Sequence, residues 1–394
     1  MNSRNLPLVV LLFTFSFCGF RAFSQRVCIN SEPVVNAGVI DINENGAALP
    51  DVIIIPVVVH IVFHTDNENI SNEQVKSQLA VLNKDFRKKN ADAATIPPAF
   101  RQLAADSRFE FRLATTDPSG LPTTGILRKY TSQPGFAAND LVKFSSSGGS
   151  DAWNSNDYLN IWVCNLSGGV MGYASTPGSD QLKDGVVIRY TAFGTTANVA
   201  APFNKGRTTV HEIGHWLGLR HIWGDTDCGD DKIEDTPPQK GPTRGCPSGV
   251  VSTCTGAAAG SMYMNFMDFT NDECTNMFTQ GQANRMRELF VQGGPRMALL
   301  SSEKAEGPAM EEQQSDFERM AGMQISPNPA IHSIRIKIPS VVAGVVAKIY
   351  NQFGQVVKTV LLNSDVADVA ITDLKAGMYY VSTGSGRTLK FVKK

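Results

Sequence analysis

The sequence predicts an α/β domain built on a mixed, mostly parallel twisted sheet, with one backing helix and one helix that bears a site. A small all-β sandwich follows it. Three observations carry this prediction. The apolar run from Val52 to His64 is rich in Val and Ile, the pattern of a strand buried on both faces, as in parallel sheets. Helical and strand-like periods then alternate through about residue 290, as α/β architectures require. From residue 325 onward the helical period disappears, and short alternating strands recur at the spacing of a sandwich.

Bulk properties set the outer bounds. A chain of 394 residues suggests two or three domains. With 42% hydrophobic and 19% charged residues it is globular and able to bury a sizeable core. A formal net charge of −1 gives no electrostatic reason to bind nucleic acid or an anionic membrane, and no basic cluster with interleaved aromatics is present.

The elements follow in order. Residues 1–24 read as a signal peptide: Arg4 precedes an apolar run from Leu6 to Phe20, and Ala22-Phe23-Ser24 is a small-x-small cleavage site. A lipoprotein anchor at Cys18 is the alternative, with bulky Phe17 against it. No later segment is long and apolar enough to span a bilayer. Residues 25–51 are polar and rich in Asn, Gly and Pro, as a short propeptide would be. A domain over 52–297 begins with the Val52–His64 strand. His60 and His64 lie in it four residues apart, about 13 Å along a strand, so they are read as structural. Ile70-Ser71-Asn-Glu-Gln74 is a capping box, and Val75, Leu79, Leu82 and Phe86 continue it with helical spacing. Phe109, Phe111 and Leu113 alternate as a half-buried strand, and Tyr158–Leu166 and Val186–Tyr190 are further strands. Thr279-Gln-Gly-Gln282 caps a helix that ends near Phe290. Residues 298–324 form a linker of low order. The sandwich at 325–394 takes strands from Ile334/Ile336/Ile338, Ala347–Tyr350, Val356–Leu361 and Tyr379–Val381.

The chemistry lies in His211-Glu-Ile-Gly-His215-Trp-Leu-Gly218-Leu-Arg-His221. Four residues apart on a helix, His211 and His215 project from one face and can reach one ion, with Glu212 on the neighbouring stripe. His221 lies six residues further and cannot join from the same helix. The helix must stop, and Gly218 supplies the stop by taking a left-handed conformation without a Cβ penalty. Three imidazoles leave a fourth position open, the pattern of catalytic zinc. At ordinary residue frequencies this spacing arises by chance in roughly one chain in a hundred thousand, so surface histidines on an amphipathic helix do not explain it. Zn²⁺ would acidify a bound water and polarise a carbonyl, with Glu212 accepting the proton and passing it to a leaving amine. This is peptide-bond hydrolysis without a covalent intermediate.

Six cysteines remain once the signal peptide is removed. Cys228, Cys246, Cys254 and Cys274 cluster after the histidines and read as two disulfides in an exported protein, with three pairings open. Each bridge would contribute about 3 kcal/mol. Cys164 lies in a strand-like run and is read as a buried small hydrophobe. Cys28, near the start of the mature chain, is either an unpaired terminal thiol or, as a thiolate, a zinc ligand. Asp225, Asp227, Asp230, Asp231, Glu234 and Asp235 make a loop dense in oxygen ligands of the kind that suits Ca²⁺.

The histidine signature resembles that of the metzincin metallopeptidases. The further order of Cys228, Asp235-Thr236-Pro237, Cys246, Cys254, Asn265-Phe-Met267-Asp-Phe269 and Cys274 is similar to the pappalysin family, over approximately residues 52–297. The resemblance implies a metzincin catalytic domain with Met267 in a methionine turn beneath the metal. It also implies disulfides Cys228–Cys254 and Cys246–Cys274, and calcium held by Asp231, the Glu234 main-chain carbonyl and Thr236. Ser167–Ala174 resembles the metzincin upper-rim edge strand, so Gly169, Val170, Met171 and Gly172 would pair with an extended peptide substrate. In related proenzymes a propeptide cysteine blocks the metal, which implies a latency role for Cys28. Bacterial members commonly carry a tyrosine two residues after the methionine, and Phe269 stands there without a hydroxyl. Some relatives cut before Arg or Lys using an acidic pocket residue. Asp272 and Glu273 are the nearby acids, and the sequence places neither in a pocket. Residues 325–394 resemble the C-terminal sorting domain of type IX secretion substrates.

These readings converge on a secreted zinc-dependent endopeptidase, made as a latent precursor, with Zn²⁺ and Ca²⁺ as cofactors. Its partners would be protein or peptide substrates and the type IX secretion machinery, and it would act as a monomer. The rival reading is a non-catalytic surface adhesin that retains a zinc-binding, peptidase-like domain.

Overall fold

The computed structural model describes Cys28 and residues 49–252, 254, 259–307, 323–337, 345–352, 354–362, 364, 366–382 and 388–394. The expected signal peptide, and all of the expected propeptide except Cys28 and residues 49–51, lie outside the described residues.

The long apolar run becomes β1 (Ile53–Phe63), the spine of a six-stranded sheet. One edge of β1 pairs in parallel first with β2 (Phe109–Leu113) and then with β3 (Ile126–Tyr130). Its other edge pairs in parallel with β4 (Leu159–Cys164). Beyond β4 come parallel β6 (Val186–Arg189) and, antiparallel at the outer edge, the three-residue β5 (Gly172–Ala174). β1 has no polar alternation because both of its faces are covered. Ile53, Ile55, Val57, Val59 and Ile61 enter the large core, whereas Val58 and Val62 enter two smaller clusters on the opposite face.

The large core lies between the sheet and two helices. α1 (Asn72–Asp85) begins at Ser71, whose side chain accepts from Gln74 N. The expected capping box is only half made: Gln74 turns inward and donates to the Tyr190 and Phe193 carbonyls. Buried carbonyls in the loop after β6 need a donor more than the solvated start of α1 does. Val75, Leu79, Leu82 and Phe86 are all buried, as their spacing predicted. α2 (Arg207–Trp216) is buried along its whole length. α3 (Gln280–Glu288) carries a complete capping box between Thr279 and Gln282. No helix among the described residues is long and apolar enough to cross a membrane.

β3 was not anticipated. It is mostly half-exposed and lacks a clean apolar alternation, and pairing with β1 alone defines it. Residues 297–307, expected to be largely linker, pack on the α/β unit: Leu299 is buried, and the Lys304 carbonyl accepts from Thr115 N at 2.7 Å.

The second unit is all-β. β9 (Val345–Asn351), β10 (Val356–Leu362), β12 (Gly377–Ser382) and β13 (Thr388–Lys393) form one antiparallel sheet in the order β10-β9-β12-β13. β7 (Gln324–Ser326), β8 (Ser333–Lys337) and β11 (Val366–Ala370) form the other. Ile334, Ile336, Ile349, Val381 and Phe391 are among the residues of its core. Ile338 lies outside the described residues.

Candidate active site

α2 places His211 and His215 one turn apart, and it ends where the sequence says it must. Trp216 is its last residue, and Gly218 takes φ +83°. The chain then doubles back and brings His221 to the other two. Each imidazole is oriented through its inner nitrogen. His211 Nδ1 lies 2.7 Å from the Phe266 carbonyl, and His215 Nδ1 lies 2.8 Å from the Leu219 carbonyl. A carbonyl only accepts, so both Nδ1 atoms carry the proton and both Nε2 atoms present lone pairs. His221 Nδ1 pairs with Asp225. Such partners fix tautomer and ring direction at metal-binding histidines.

The three Nε2 atoms converge: His215 Nε2 is 3.1 Å from that of His211 and 3.2 Å from that of His221. Lone pairs facing one another at such distances repel unless a cation lies among them. A tetrahedral zinc with bonds of about 2.0–2.1 Å would set its ligands about 3.3 Å apart, so the donor set fits that ion. Burial, reinforced by His221, holds His215 well below the ordinary histidine value, which keeps it neutral as a ligand must be.

Beneath the helix Met267 is fully buried. A Cβ at Gly214 would stand 2.4 Å from Met267 Sδ, so the glycine between the two histidines is what lets the methionine approach. Asn265 and Gln282 exchange reciprocal side-chain hydrogen bonds, tying this turn to the start of α3. Phe269 packs against the rings of His211 and His221, and Trp223 stacks on His221 at 4.3 Å.

Glu212 is fully buried on α2. Its neighbour is the edge strand: a Cβ on Gly172 would lie 2.8 Å from Glu212 Cγ. Gly169 is exposed in a left-handed turn, whereas Val170, Met171 and Gly172 are buried. Gly172 pairs with β6 along one edge and, across the other, forms an isolated parallel bridge with Cys28. Cys28 Sγ donates to Glu212 Oε2 at 3.2 Å. Cys28 and the three histidines all bring ligand atoms within 4.8 Å of one another.

Several carboxylates of the acidic loop have partners of their own. Asp225 orients His221. Asp230 pairs with Lys232. Asp235 accepts from Thr279 Oγ1 and Gly281 N, at the head of α3. Asp231 and Thr236 do meet, with Thr236 Oγ1 donating at 2.8 Å, while the Glu234 side chain faces solvent. The disulfides Cys228–Cys254 and Cys246–Cys274 are both formed, with Cα atoms 5.9 and 5.7 Å apart. Cys164 is fully buried, as expected. His60 is buried against Trp162, and His64 Nδ1 meets the Thr131 carbonyl. Neither reaches the metal-binding cluster.

Sequence reasoning missed two buried ionic groups that hold α2. At its head, Arg207 pairs with Asp85 and Asp92, and the Asp272 carboxylate accepts from Lys205 N and Arg207 N. A cation in the first turn opposes the helix dipole, and these acids offset it. Burial pushes the Asp85 carboxyl up to about 6 although Arg207 opposes the rise. At the other end, Asp184 accepts from Ser175 Oγ, Trp216 Nε1 and Arg296. Asp225 alone had a readable signal, a carboxylate four residues after the third histidine.

Fold and site together define a metallopeptidase. Residues 145–291 match the peptidase family model described as Pregnancy-associated plasma protein-A, and residues 324–394 match a secretion-system C-terminal sorting domain. An extracellular metalloprotease of Arthroderma benhamiae is 31% identical over 247 residues, covering 59% of this chain and 70% of that protein. Extracellular metalloprotease 1 of Coccidioides posadasii is 36% identical over 141 residues, 34% of this chain and 50% of that protein. Mature mirolysin of Tannerella forsythia, solved with a cleaved peptide, is 48% identical with a TM-score of 0.64, covering 66% of this chain and all of that one. A promirolysin variant from the same organism matches at 48% identity and a TM-score of 0.64, covering 66% of this chain and 88% of that one. The chain therefore belongs to the pappalysin family of metallopeptidases. It is a metalloendopeptidase of mirolysin-like α/β fold, followed by all-β sheets that match a type IX sorting domain. The family implies zinc, and the sorting domain marks a secreted or cell-surface protein.

Proposed function

We propose that this protein is a secreted endopeptidase, made latent, in which Glu212 drives water onto a peptide carbonyl at a zinc held by His211, His215 and His221. The observation that carries this reading is the convergence of three Nε2 atoms with Glu212 buried beside them. Zinc would supply Lewis acidity toward the carbonyl and acidify the attacking water. Glu212 takes the water's proton and returns it to the leaving amine. Gly172, without a side chain, allows an extended substrate to lie against Glu212, paired to the edge of β5 along the 169–172 rim. Met267 supports the floor.

In the precursor, Cys28 occupies that same place. Its bridge to Gly172 and its contact with Glu212 support the reading that it excludes both substrate and water until residues 25–51 are removed. The signal peptide would end at Ser24, the peptidase would extend over 52–297, and 325–394 would deliver the protein to type IX export. The contact of Asp231 with Thr236 supports a calcium site completed by the Glu234 main-chain carbonyl. Raised melting temperature with millimolar Ca²⁺, lost in Asp231→Ala, is the expected result for that site.

The central test is Glu212→Ala against the wild-type protein, both assayed after residues 25–51 have been removed. Hydrolysis of a denatured protein should vanish while one zinc per chain remains bound. Equal activity in that variant, or no bound metal in either protein, would defeat the mechanism.

A further inference from the structure

The three histidines are not held alike. His211 and His215 give their Nδ1 protons to the main-chain carbonyls of Phe266 and Leu219, both residues of the large core. His221 gives its Nδ1 proton to a carboxylate, Asp225, on an exposed loop. Trp223 stacks on the His221 ring at 4.3 Å with the two planes 8° apart, and Phe269 meets that ring edge-on at 4.9 Å. Stacking fixes the plane of an imidazole but not which of its edges faces the cluster. Half a turn about the Cβ–Cγ bond keeps the ring in that plane and puts a carbon where Nε2 was. The hydrogen bond at Nδ1 removes this alternative and fixes the tautomer.

The Asp225 side chain is half exposed, so water competes for both partners and the shape of the loop must keep the carboxylate in place. Asp225 and Cys228 are both left-handed, at φ +59° and +52°, a conformation that L residues hold only where their surroundings impose it. Gly224 N donates to the His221 carbonyl at 2.8 Å, and Gly229 N to the Thr226 carbonyl at 3.1 Å. The chain folds back so closely that a Cβ at Gly224 would stand 2.4 Å from Asp230 N. Within this fold, three residues after Asp225, Cys228 is bridged to Cys254, 26 positions along the chain.

We infer that the Cys228–Cys254 bridge, acting through Asp225, sets how tightly the metal is held, with Asp225 the positioning residue of His221. The inference rests on the metallopeptidase reading above and extends it from the three imidazoles to the loop that aims one of them. Without the bridge, His211 and His215 keep their core partners, whereas the carboxylate leaves Nδ1 and the His221 ring turns over. Such a chain holds zinc weakly.

The test measures zinc affinity by competition with a chromogenic chelator at constant Ca²⁺. It uses protein from which residues 25–51 have been removed, in a Glu212→Ala background that prevents self-digestion. Asp225→Ala should weaken zinc binding about 10–100-fold, and Asp225→Asn, whose amide oxygen still accepts from Nδ1, should weaken it less. Replacing Cys228 and Cys254 together with serine should weaken it about tenfold. Adding Asp225→Ala to that pair should cost less than it does alone, because both changes act through one carboxylate. Replacing Cys246 and Cys274 with serine is the control: it opens a bridge in the same region and lowers the melting temperature, yet should leave zinc affinity unchanged. Unchanged affinity without the Cys228–Cys254 bridge, losses that add in full, or an equal loss without the Cys246–Cys274 bridge would each overturn the inference and leave the peptidase reading intact. A parent protein that binds no zinc would sink that reading, and the inference with it.

Discussion

Breaking the buried pair between Asp184 and Arg296 should unfold this protein far more readily than its surface contacts would suggest. Both side chains are nearly inaccessible, at 4% and 3% exposure. Arg296 meets both Asp184 oxygens and the Trp216 carbonyl, and it stacks 3.9 Å over the Trp216 ring. Asp184 also accepts from Ser175 Oγ at 2.7 Å and Trp216 Nε1 at 3.0 Å. Burial by itself would push this carboxyl up, and Arg296 with these donors brings it below the ordinary carboxylate range. Arg296→Met leaves the anion buried with two neutral donors. Removing one partner of such a pair costs about 3–5 kcal/mol, or roughly 6–20 °C in melting temperature for a domain of this size. Denaturant unfolding should be followed by tryptophan fluorescence in a Glu212→Ala background, which prevents self-digestion. Adding Asp184→Asn should restore about 1–2 kcal/mol, since the orphan is then neutral. A loss below about 1 kcal/mol for Arg296→Met, the range of exposed pairs, would refute the argument.

Three further outcomes are expected. His60, stacked on Trp162, is pushed by burial from 6.5 down to about 4, so the folded protein refuses a proton that the unfolded chain accepts. Stability should therefore fall as pH drops from about 6.5 toward 4, by roughly 3 kcal/mol, and His60→Gln should flatten that slope in urea titrations. Gly172→Ala suits the local backbone but puts a methyl 2.9 Å from Glu212 Oε1. About a hundredfold loss of kcat/KM with zinc retained is expected, and full activity would show that the rim lies elsewhere. Replacing Cys246 and Cys274 together with serine opens a loop of 28 residues. It should cost about 3–4 kcal/mol, read by calorimetry, with near-wild-type stability counting against a structural role.

Much of the site was legible because its signals are local. The spacing of His211 and His215 needs only helical periodicity, and Gly218 needs only a left-handed turn. Ser71 and Thr279 each mark a helix start within four residues. The strand β1 announced itself through an apolar run with no polar interruption. The acidic loop was less legible for the opposite reason: composition records how many carboxylates are present, whereas geometry decides what each of them meets. Asp225 and Asp235 instead serve a histidine and a helix end. Gln74 has the identity of a capping residue, yet the unmet carbonyls of Tyr190 and Phe193 drew it away.

By itself, then, the sequence pointed to the three histidines and the glutamate of the candidate site, the helix that displays most of them and the division into an α/β unit and a β unit, because each is written in spacings of a few residues. Tertiary structure alone decided what surrounds them. Asp184 and Arg296 stand 112 positions apart, and Cys28 meets Glu212 across 184. Contacts of that kind leave no periodic trace, since they depend on where the chain returns in space and on which buried groups still lack a partner when it does.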